Sequence, residues 1–508
     1  MDCGNIMNGK YFIVFLLLLH PLLFFGEETA SKSEVLRISP VDPFVVSRAD
    51  DLQRDILSTD TVIALRGFIN DWILAGVKVG SEKEADIKVS FEGSAELSSA
   101  VDLRVIGEIQ AKDFKGPPAW YLDPLFKNPQ TLGDLSSVIR NWEAIYEFPR
   151  LHLSPNKPIV ILITIKTHSL SAGKKTGFLT FTAQDKLLKR FPIEIEIYPV
   201  KLPEDNPIIG HTWTVYKDDE ELARLVRDYG INACGYYDNW DMLRKVGFRF
   251  FRFSFPLSNW TVASLNVEDD EIVEYLKPIQ ETVARLKLKP EEWAIEIFDE
   301  PFDKNAWVFV AWAIRIRRLW PEARFYANPG YSWTNKNFAT VENCIEPLKN
   351  YVNVWCPYEE YRGKPEFMRA LKQTQRPIWF YTIEYSHSKP RRGGRQLPWL
   401  AWRLQLDGWA FYNLKQDEKH NSWTDNVCAR MYPGNTMSLW MEGLRQGVQD
   451  YKRLWYLKNA GTSEDEITSN ILQVIPKGED GPWGGAEPET YSKIRERIDD
   501  LIITRIPQ

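Results

Sequence analysis

From residue 208 onward the chain repeats one unit eight times: a short apolar run followed by a helical stretch. The runs are Ile208–Val215, Ala233–Tyr236, Arg249–Phe255, Trp293–Phe298, Arg324–Ala327, Val352–Trp355, Pro377–Tyr381 and Gly408–Tyr412. Helical spacing between them is clearest at Glu220–Tyr229, Glu271–Leu286, Asn305–Leu319 and Pro398–Leu406. Strands separated by helices pair in parallel, with helices covering the sheet, so few architectures accept eight such units. Eight of them in about 250 residues predict a (β/α)8 TIM-type barrel over 208–460. A strongly amphipathic helix, Ser438–Lys458, follows the last strand. Leu439, Leu444, Val448, Leu454 and Trp455 fall on it near helical spacing and are expected to seal the barrel. Glu442 and Arg445, at i and i+3, read as an ion pair that fixes this helix. Glu464–Val474 and Thr490–Ile503 form a short helical C-terminal tail, 461–508.

Upstream the period drops to two. Thr61–Leu65, Ile87–Phe91, Ile159–Ile165, Gly177–Thr182 and Pro192–Ile197 predict an N-terminal antiparallel β-sandwich over 31–200. Lys201–Pro207 reads as the linker. Before it, Lys10 precedes an apolar run, Phe12–Phe25. Such a run is too short for a bilayer that needs about 20 helical residues. It reads as a signal peptide, 1–30, with an uncleaved signal anchor as the alternative. No long apolar run recurs, so the mature chain is expected to be secreted or extracytoplasmic, without stable membrane insertion. The sequon Asn259-Trp260-Thr261 suits that environment.

Lys plus Arg number 63 against 69 Asp plus Glu, a net charge of -6, so no basic field exists to hold a nucleic acid. Neither a G-x-G-x-x-G nor a Walker sequence occurs, and the five Cys and six His show no metal-ligand spacing. No cofactor and no metal are expected.

In a (β/α)8 barrel the chemistry sits at the carboxyl ends of the strands. Those ends carry carboxylates, amides and aromatics but almost no Lys, which argues against a Schiff-base aldolase. The fourth run ends in Ile297-Phe298-Asp299-Glu300-Pro301, two adjacent acids stopped by a proline. Adjacent acids on an extended chain point to opposite sides unless the backbone turns, as it does at a strand exit. Held close, they cannot both ionise easily, so one pKa should rise and supply a proton donor beside a carboxylate. Glycoside cleavage needs that combination. A solvated helix cap is the bland alternative.

The aromatic content bears on the choice. Sixteen of the 20 Trp lie between residues 210 and 460. Sugar rings stack their apolar faces on aromatic planes while their hydroxyls meet amides and acids. Trp213, Tyr326, Asn328, Trp355, Tyr358, Tyr381, Glu384, Trp409 and Asn413 are therefore the candidate substrate-binding residues, around a catalytic pair Asp299 and Glu300. Trp307 and Trp312, on a helix, read as core. The expected partner is a glycan or glycoconjugate.

Several pieces together resemble the catalytic region of glycoside hydrolase family 123 and its relatives grouped as domain of unknown function 4091. They are Asp299-Glu300, Tyr432-Pro433-Gly434 and the run Ser438, Glu442, Arg445, Gly447, Asp450, Tyr451, within roughly residues 190–460. The stretch Trp409–Asn413, with Trp423 beyond it, matches that family only loosely. The resemblance implies removal of terminal N-acetylgalactosamine, with the substrate's own acetamide as nucleophile. It makes Glu300 the acid/base and Asp299 the residue that orients the acetamide.

Other readings stay open. Glu384 follows the seventh run, where retaining glycosidases on barrels carry a nucleophile, and would then act with Glu300. A non-catalytic carbohydrate-binding protein would leave the acid pair solvated or salt-bridged. Gly330-Tyr331-Ser332-Trp333-Thr334 superficially suggests a nucleophile elbow, but its fifth residue is Thr and no helical pattern follows.

Overall fold

The computed structural model describes residues 36–44, 62–112, 118–126, 139–140, 148–214, 216–235, 239–255, 265–332, 337–383, 393–414, 430–432, 435–483 and 486–506. The expected signal peptide, the sequon, Cys428, Trp423 and Glu384 lie outside them.

The described residues of the N-terminal part form eleven strands: β1 (Leu36–Val41), β2 (Ile63–Ile69), β3 (Trp72–Ser81), β4 (Ala85–Glu92), β5 (Val101–Lys112), β6 (Pro118–Phe126), β7 (Ile139–Arg140), β8 (Arg150–Leu153), β9 (Ile159–Lys166), β10 (Gly173–Ala183) and β11 (Lys186–Lys201). One sheet runs β1-β3-β9-β5-β6, with β7 beside β5; the other runs β2-β11-β10-β4-β8. Central β9 reads IVILITIK and is buried at seven of eight positions, whereas β11 alternates buried and open positions. Val77, Ile161 and Ile163 of the first sheet share one apolar cluster with Val89, Leu179 and Ile193 of the second. Pairing is not wholly antiparallel as expected, because β2 lies parallel to β11. The chain leaves β2 for the other sheet at once, so no tight hairpin sets its direction. A helix, α1 (Ala95–Ala100), links β4 to β5.

Eight parallel strands follow: β12 (Ile209–Thr212), β13 (Ala233–Gly235), β14 (Phe250–Ser254), β15 (Trp293–Glu296), β16 (Phe325–Ala327), then, past a hairpin of β17 (Tyr331–Ser332) and β18 (Asn337–Phe338), β19 (Val352–Trp355), β20 (Tyr381–Thr382) and β21 (Gly408–Phe411). They form one curled sheet in the order β19-β16-β15-β14-β13-β12-β21-β20. Its two ends approach each other: Trp379 N donates to the Trp355 carbonyl at 2.7 Å and Tyr381 N to the Pro357 carbonyl at 3.1 Å. Among the described residues six longer helices alternate with the strands, α2 (Glu220–Asp228), α3 (Trp240–Val246), α4 (Asp269–Arg285), α5 (Lys304–Leu319), α6 (Pro365–Gln373) and α7 (Gly393–Leu404), and a single helical turn, Glu346–Leu348, precedes β19. Their ends follow local chemistry. Asp219 caps α2 by accepting from Leu222 N at 2.8 Å, and Gly247 closes α3 in the left-handed conformation, φ 99°.

His211 of β12 lies 6.3 Å from Tyr326 of β16, ring to ring, although these strands are not neighbours. Such contact crosses the interior of the curled sheet. Arg252 of β14 fills the same space, 5.4 Å from the rings of both Trp213 and Tyr326 and paired with Glu296 of β15. His211 is held neutral, its pKa well below the usual value through burial first and then the Arg252 charge.

After a second hairpin, β22 (Met431–Tyr432) and β23 (Thr436–Met437), comes α8 (Leu439–Asn459), capped by Ser438. It is buried on nearly every side rather than strongly amphipathic, and Trp455, expected to seal the barrel, is 39% exposed. The reason lies in its polar residues, which find partners in three directions. Arg453 pairs with Asp71 of the N-terminal part at 2.5 Å and with Asp499 at 2.7 Å. Asp450 accepts from Arg395 and from Trp399 Nε1. Glu442 accepts from Arg445, as the spacing implied, and also from Tyr229 at 2.7 Å and Arg104 at 3.1 Å. Gly447 lets α7 and α8 touch: a β-carbon there would stand 3.0 Å from the Arg395 Cα. The last helices, α9 (Glu464–Leu472) and α10 (Pro488–Ile503), pack beside α8. Trp312 is core as expected, but Trp307 is 64% exposed, since it faces away from the sheet on α5.

Candidate active site

Strand β15 stops at Glu296, and the backbone bends through Phe298, Asp299 and Glu300 before α5 begins. Glu300 has φ 51° and Asp303, which precedes α5, has φ 53°. Left-handed backbone is disfavoured for such side chains and persists where surrounding contacts impose it. The bend separates the two acids. Asp299 is exposed and Glu300 is half-buried. Neither is the helix cap, which is Asp303.

Three strands converge on Glu300. From β20, the Tyr381 hydroxyl donates to Glu300 Oε1 at 2.7 Å. Beyond β16, the Asn328 amide engages both acids, donating to Asp299 Oδ1 at 2.5 Å and accepting from Glu300 N at 3.4 Å. Next to it, Gly330 gives the Glu300 side chain room, since a β-carbon there would come within 2.5 Å of Glu300 Cγ and overlap its carboxyl. The Gly330 carbonyl is itself held by the Tyr361 hydroxyl at 2.6 Å.

Burial, first, pushes the Glu300 carboxyl up to about 7; the Tyr381 hydrogen bond pulls the other way and the Asp299 charge adds to the rise. The acid pair thus behaves as its adjacency implied, but desolvation rather than mutual repulsion is the larger cause. A carboxyl of this kind is part protonated at neutral pH and can give or take a proton there.

Around it stands an aromatic wall. The Tyr381 ring lies 5.5 Å from Trp213 and 5.3 Å from Tyr358, and Trp213 lies 6.3 Å from Tyr412. Asn413 is near the same edge, accepting from the Thr214 hydroxyl at 2.9 Å. The structure therefore brings together Asp299, Glu300, Asn328 and Tyr381 directly, with Trp213, Tyr358 and Asn413 close by. Three candidates need correction. Tyr326, Trp355 and Trp409 are 0%, 0% and 1% exposed and offer no open face to a ligand. Each is enclosed in the apolar core of the parallel-stranded part. Glu384, two residues beyond β20, lies outside the described residues. Tyr331 and Ser332 begin a hairpin instead of a nucleophile elbow.

Sequence reasoning met Gly330 only in the elbow-like pattern 330–334 and passed over Tyr361 and the Arg252–Glu296 pair. The Asn328-Pro329-Gly330 sequence directly after a strand was the available signal for the role of Gly330. No signal marks the others, because their partners come from distant strands. Among the described residues no group of three or more His, Cys, Asp or Glu is placed to hold a metal.

No family model matches this sequence, and no curated protein matches it. The fold is another matter. It is similar to a family 123 glycoside hydrolase from Clostridium perfringens, with a TM-score of 0.63 at 13% identity, covering 92% of this chain and 97% of that one. That enzyme was described for glycolipid glycan hydrolysis. A family 39 glycoside hydrolase from Bacteroides cellulosilyticus aligns more loosely, at TM-score 0.37 and 10% identity over 77% of this chain and 82% of that one. The chain thus shares its fold, nearly end to end, with a family 123 enzyme, as the motifs of residues 299–451 suggested.

Proposed function

We propose that the protein is a glycoside hydrolase that removes terminal N-acetylhexosamine, with N-acetylgalactosamine as the favoured sugar, and that it acts outside the cytoplasm. One observation carries this reading: a half-buried Glu300, held near neutrality and oriented by Tyr381, stands beside the exposed Asp299 at the exit of the fourth strand. The likeness in fold supports it.

In this mechanism protonated Glu300 gives its proton to the departing glycosidic oxygen. The substrate's acetamide oxygen attacks the anomeric carbon, and positive charge develops on the acetamide nitrogen. Asp299 accepts the N–H and stabilises that charge, which exists only as the transition state forms. Asn328 fixes Asp299 for this task. Ionised Glu300 then takes a proton from the attacking water, and hydrolysis completes the cycle.

The test is release of the aryl group from aryl N-acetylgalactosaminide, N-acetylglucosaminide and plain galactoside. Turnover confined to the acetamido sugars, and lost in Glu300→Gln for poor leaving groups, supports the reading. A fluoro-sugar adduct on Glu384 would instead establish the retaining double-displacement route.

A further inference from the structure

We propose that the Tyr361 hydroxyl is a positioning group for Glu300: it clasps the base of the β17–β18 hairpin and so fixes where Gly330 stands against the acid. This role rests on the reading of Glu300 as the proton donor. Tyr361 lies in a short helical turn, Glu359–Gly363, just past β19, and is 0% exposed. Its ring is held without the hydroxyl. It stacks on Phe367 of α6 with centroids 4.3 Å apart and meets Phe338 of β18 edge-on at 6.0 Å. A phenylalanine would pack in the same way. What the hydroxyl adds is two hydrogen bonds. It donates to the Gly330 carbonyl at 2.6 Å and accepts from Ala339 N at 2.5 Å, so its one proton and a lone pair are both engaged.

Those two partners are the stems of one hairpin. Tyr331 pairs with Phe338, so Gly330 and Ala339 are the next residues along the two strands, and the phenol oxygen bridges them. On the other side of Gly330, Tyr358 N donates to the Pro329 carbonyl at 3.0 Å, the last backbone bond between the exits of β16 and β19 among the described residues. Beyond it the clasp takes over, and it does so beside the acid. Gly330 is buried, and a β-carbon on it would overlap the Glu300 carboxyl, so its backbone forms one wall around that group. Asn328, two residues earlier in the same stretch, bonds to both acids.

Asp299 from the same strand exit, Tyr381 from β20 and Tyr361 from beyond β19 are the titratable groups that interact with Glu300 among the described residues. The exit of β16 supplies the uncharged Asn328 and Gly330. Burial is the largest influence on the Glu300 carboxyl. Burial also keeps Tyr361 a neutral phenol at ordinary pH, so its hydroxyl acts by holding backbone rather than by giving up its proton. Without the clasp the Gly330 wall shifts and water reaches the carboxyl, which brings its pKa down toward the ordinary value.

Full-length Tyr361→Phe is compared with wild type, Gly330→Ala, the double variant and Tyr229→Phe, a control that loses a buried hydroxyl bond to Glu442. The readouts are Tm, kcat and the pH profile of kcat/KM on aryl glycosides, and titration of the Glu300 carboxyl by infrared difference against Glu300→Gln. In Tyr361→Phe, kcat should fall by about 10- to 10²-fold, as a displacement approaching 1 Å implies. The basic limb and the infrared titration should both move to lower pH. Loss of the Tyr381 hydroxyl would move them the other way, since its hydrogen bond lowers the Glu300 pKa. Tyr229→Phe should lower Tm and leave both pH readouts in place. Once Gly330→Ala has moved Glu300, removing the Tyr361 hydroxyl should cost little more, so the double variant should match Gly330→Ala. Placing 4-fluorophenylalanine at position 361, which fills the hydroxyl's space without donating, should give the same shift and covers the case in which Tyr361→Phe does not fold. Unmoved pH readouts in the position-361 variant, or losses that multiply in the double variant, overturn the proposal. The infrared titration needs no substrate: a wild-type chain that turns over no glycoside would refute the hydrolase reading, while the shift at Glu300 would still decide the role of Tyr361.

Discussion

The carboxyl of Glu300 occupies the space that a β-carbon on Gly330 would need. The two residues come from the exits of adjacent strands, β15 and β16, and their fit sets where the Glu300 carboxyl can point. Gly330→Ala should therefore fold normally but swing Glu300 away from Tyr381. A displacement of about 1 Å can cost on the order of 10² in rate. We expect kcat on aryl glycosides to fall by that order while the thermal midpoint changes little. Wild-type turnover in this variant would show that the Glu300 position is not critical.

Glu300 near 7 makes the rate fall on the basic side as the proton donor ionises. The Tyr381 hydrogen bond lowers that pKa, so Tyr381→Phe removes a stabiliser of the carboxylate and raises it further. The basic limb of the kcat/KM profile should move to higher pH in Tyr381→Phe. A shift to lower pH would contradict the assignment of this limb to Glu300.

Glu300→Gln cannot donate a proton. Substrates with poor leaving groups should lose about 10²–10⁴-fold, and those with good leaving groups much less. Equal losses in both series would place the acid elsewhere.

On the proposed mechanism, Asp299→Asn keeps the shape of the side chain that meets the acetamide and removes the carboxylate charge. A fall in kcat of about 10²–10³ is expected, the scale on which a single transition-state contact is felt. A thiazoline analogue of the cyclised intermediate should inhibit competitively and far more tightly than the free sugar. Failure of the thiazoline to inhibit would rule out acetamide participation.

Arg453 and Asp71 join α8 to the N-terminal part inside the protein. Arg453→Met leaves Asp71 as a buried charge without this partner, at a cost of about 3–5 kcal/mol. Burial works to raise the Asp71 carboxyl, but Arg453 holds it below its ordinary value. The contribution is therefore present above the usual carboxylate range and is lost as pH falls through the folded value. Denaturant titration should show the variant less stable at pH 7, with the gap closing under acid. A gap of constant size across that range would mean that the lost stability does not come from the Arg453–Asp71 charge pair. For the same reason, a chain beginning at Ile208 should be poorly soluble, since α8 would lose both Asp71 and Arg104 as partners.

Much of the parallel-stranded part was legible in the residues. Val352–Trp355 is a strand with the expected ends, and the helices at 220, 304 and 439 begin within a residue of their predicted positions. Periodicity reports which residues share a face, and short β-strand and helix units carry that signal locally. It does not report what the face meets. Trp307 and Trp312 have equal claim to the core in sequence, yet only Trp312 faces the sheet. Tyr326 and Tyr381 both lie at strands of the parallel sheet, yet only Tyr381 reaches the acid.

The order of residues alone determined the eightfold alternation of strand and helix, and it put two acids and a proline at the fourth exit, because strand and helix periods are written in neighbouring residues. Tertiary structure decided what those acids became. Burial raises the Glu300 carboxyl to about 7, with the Asp299 charge adding and the Tyr381 hydrogen bond opposing, and that burial exists only once folding brings the regions of Gly330 and Tyr381 to Glu300.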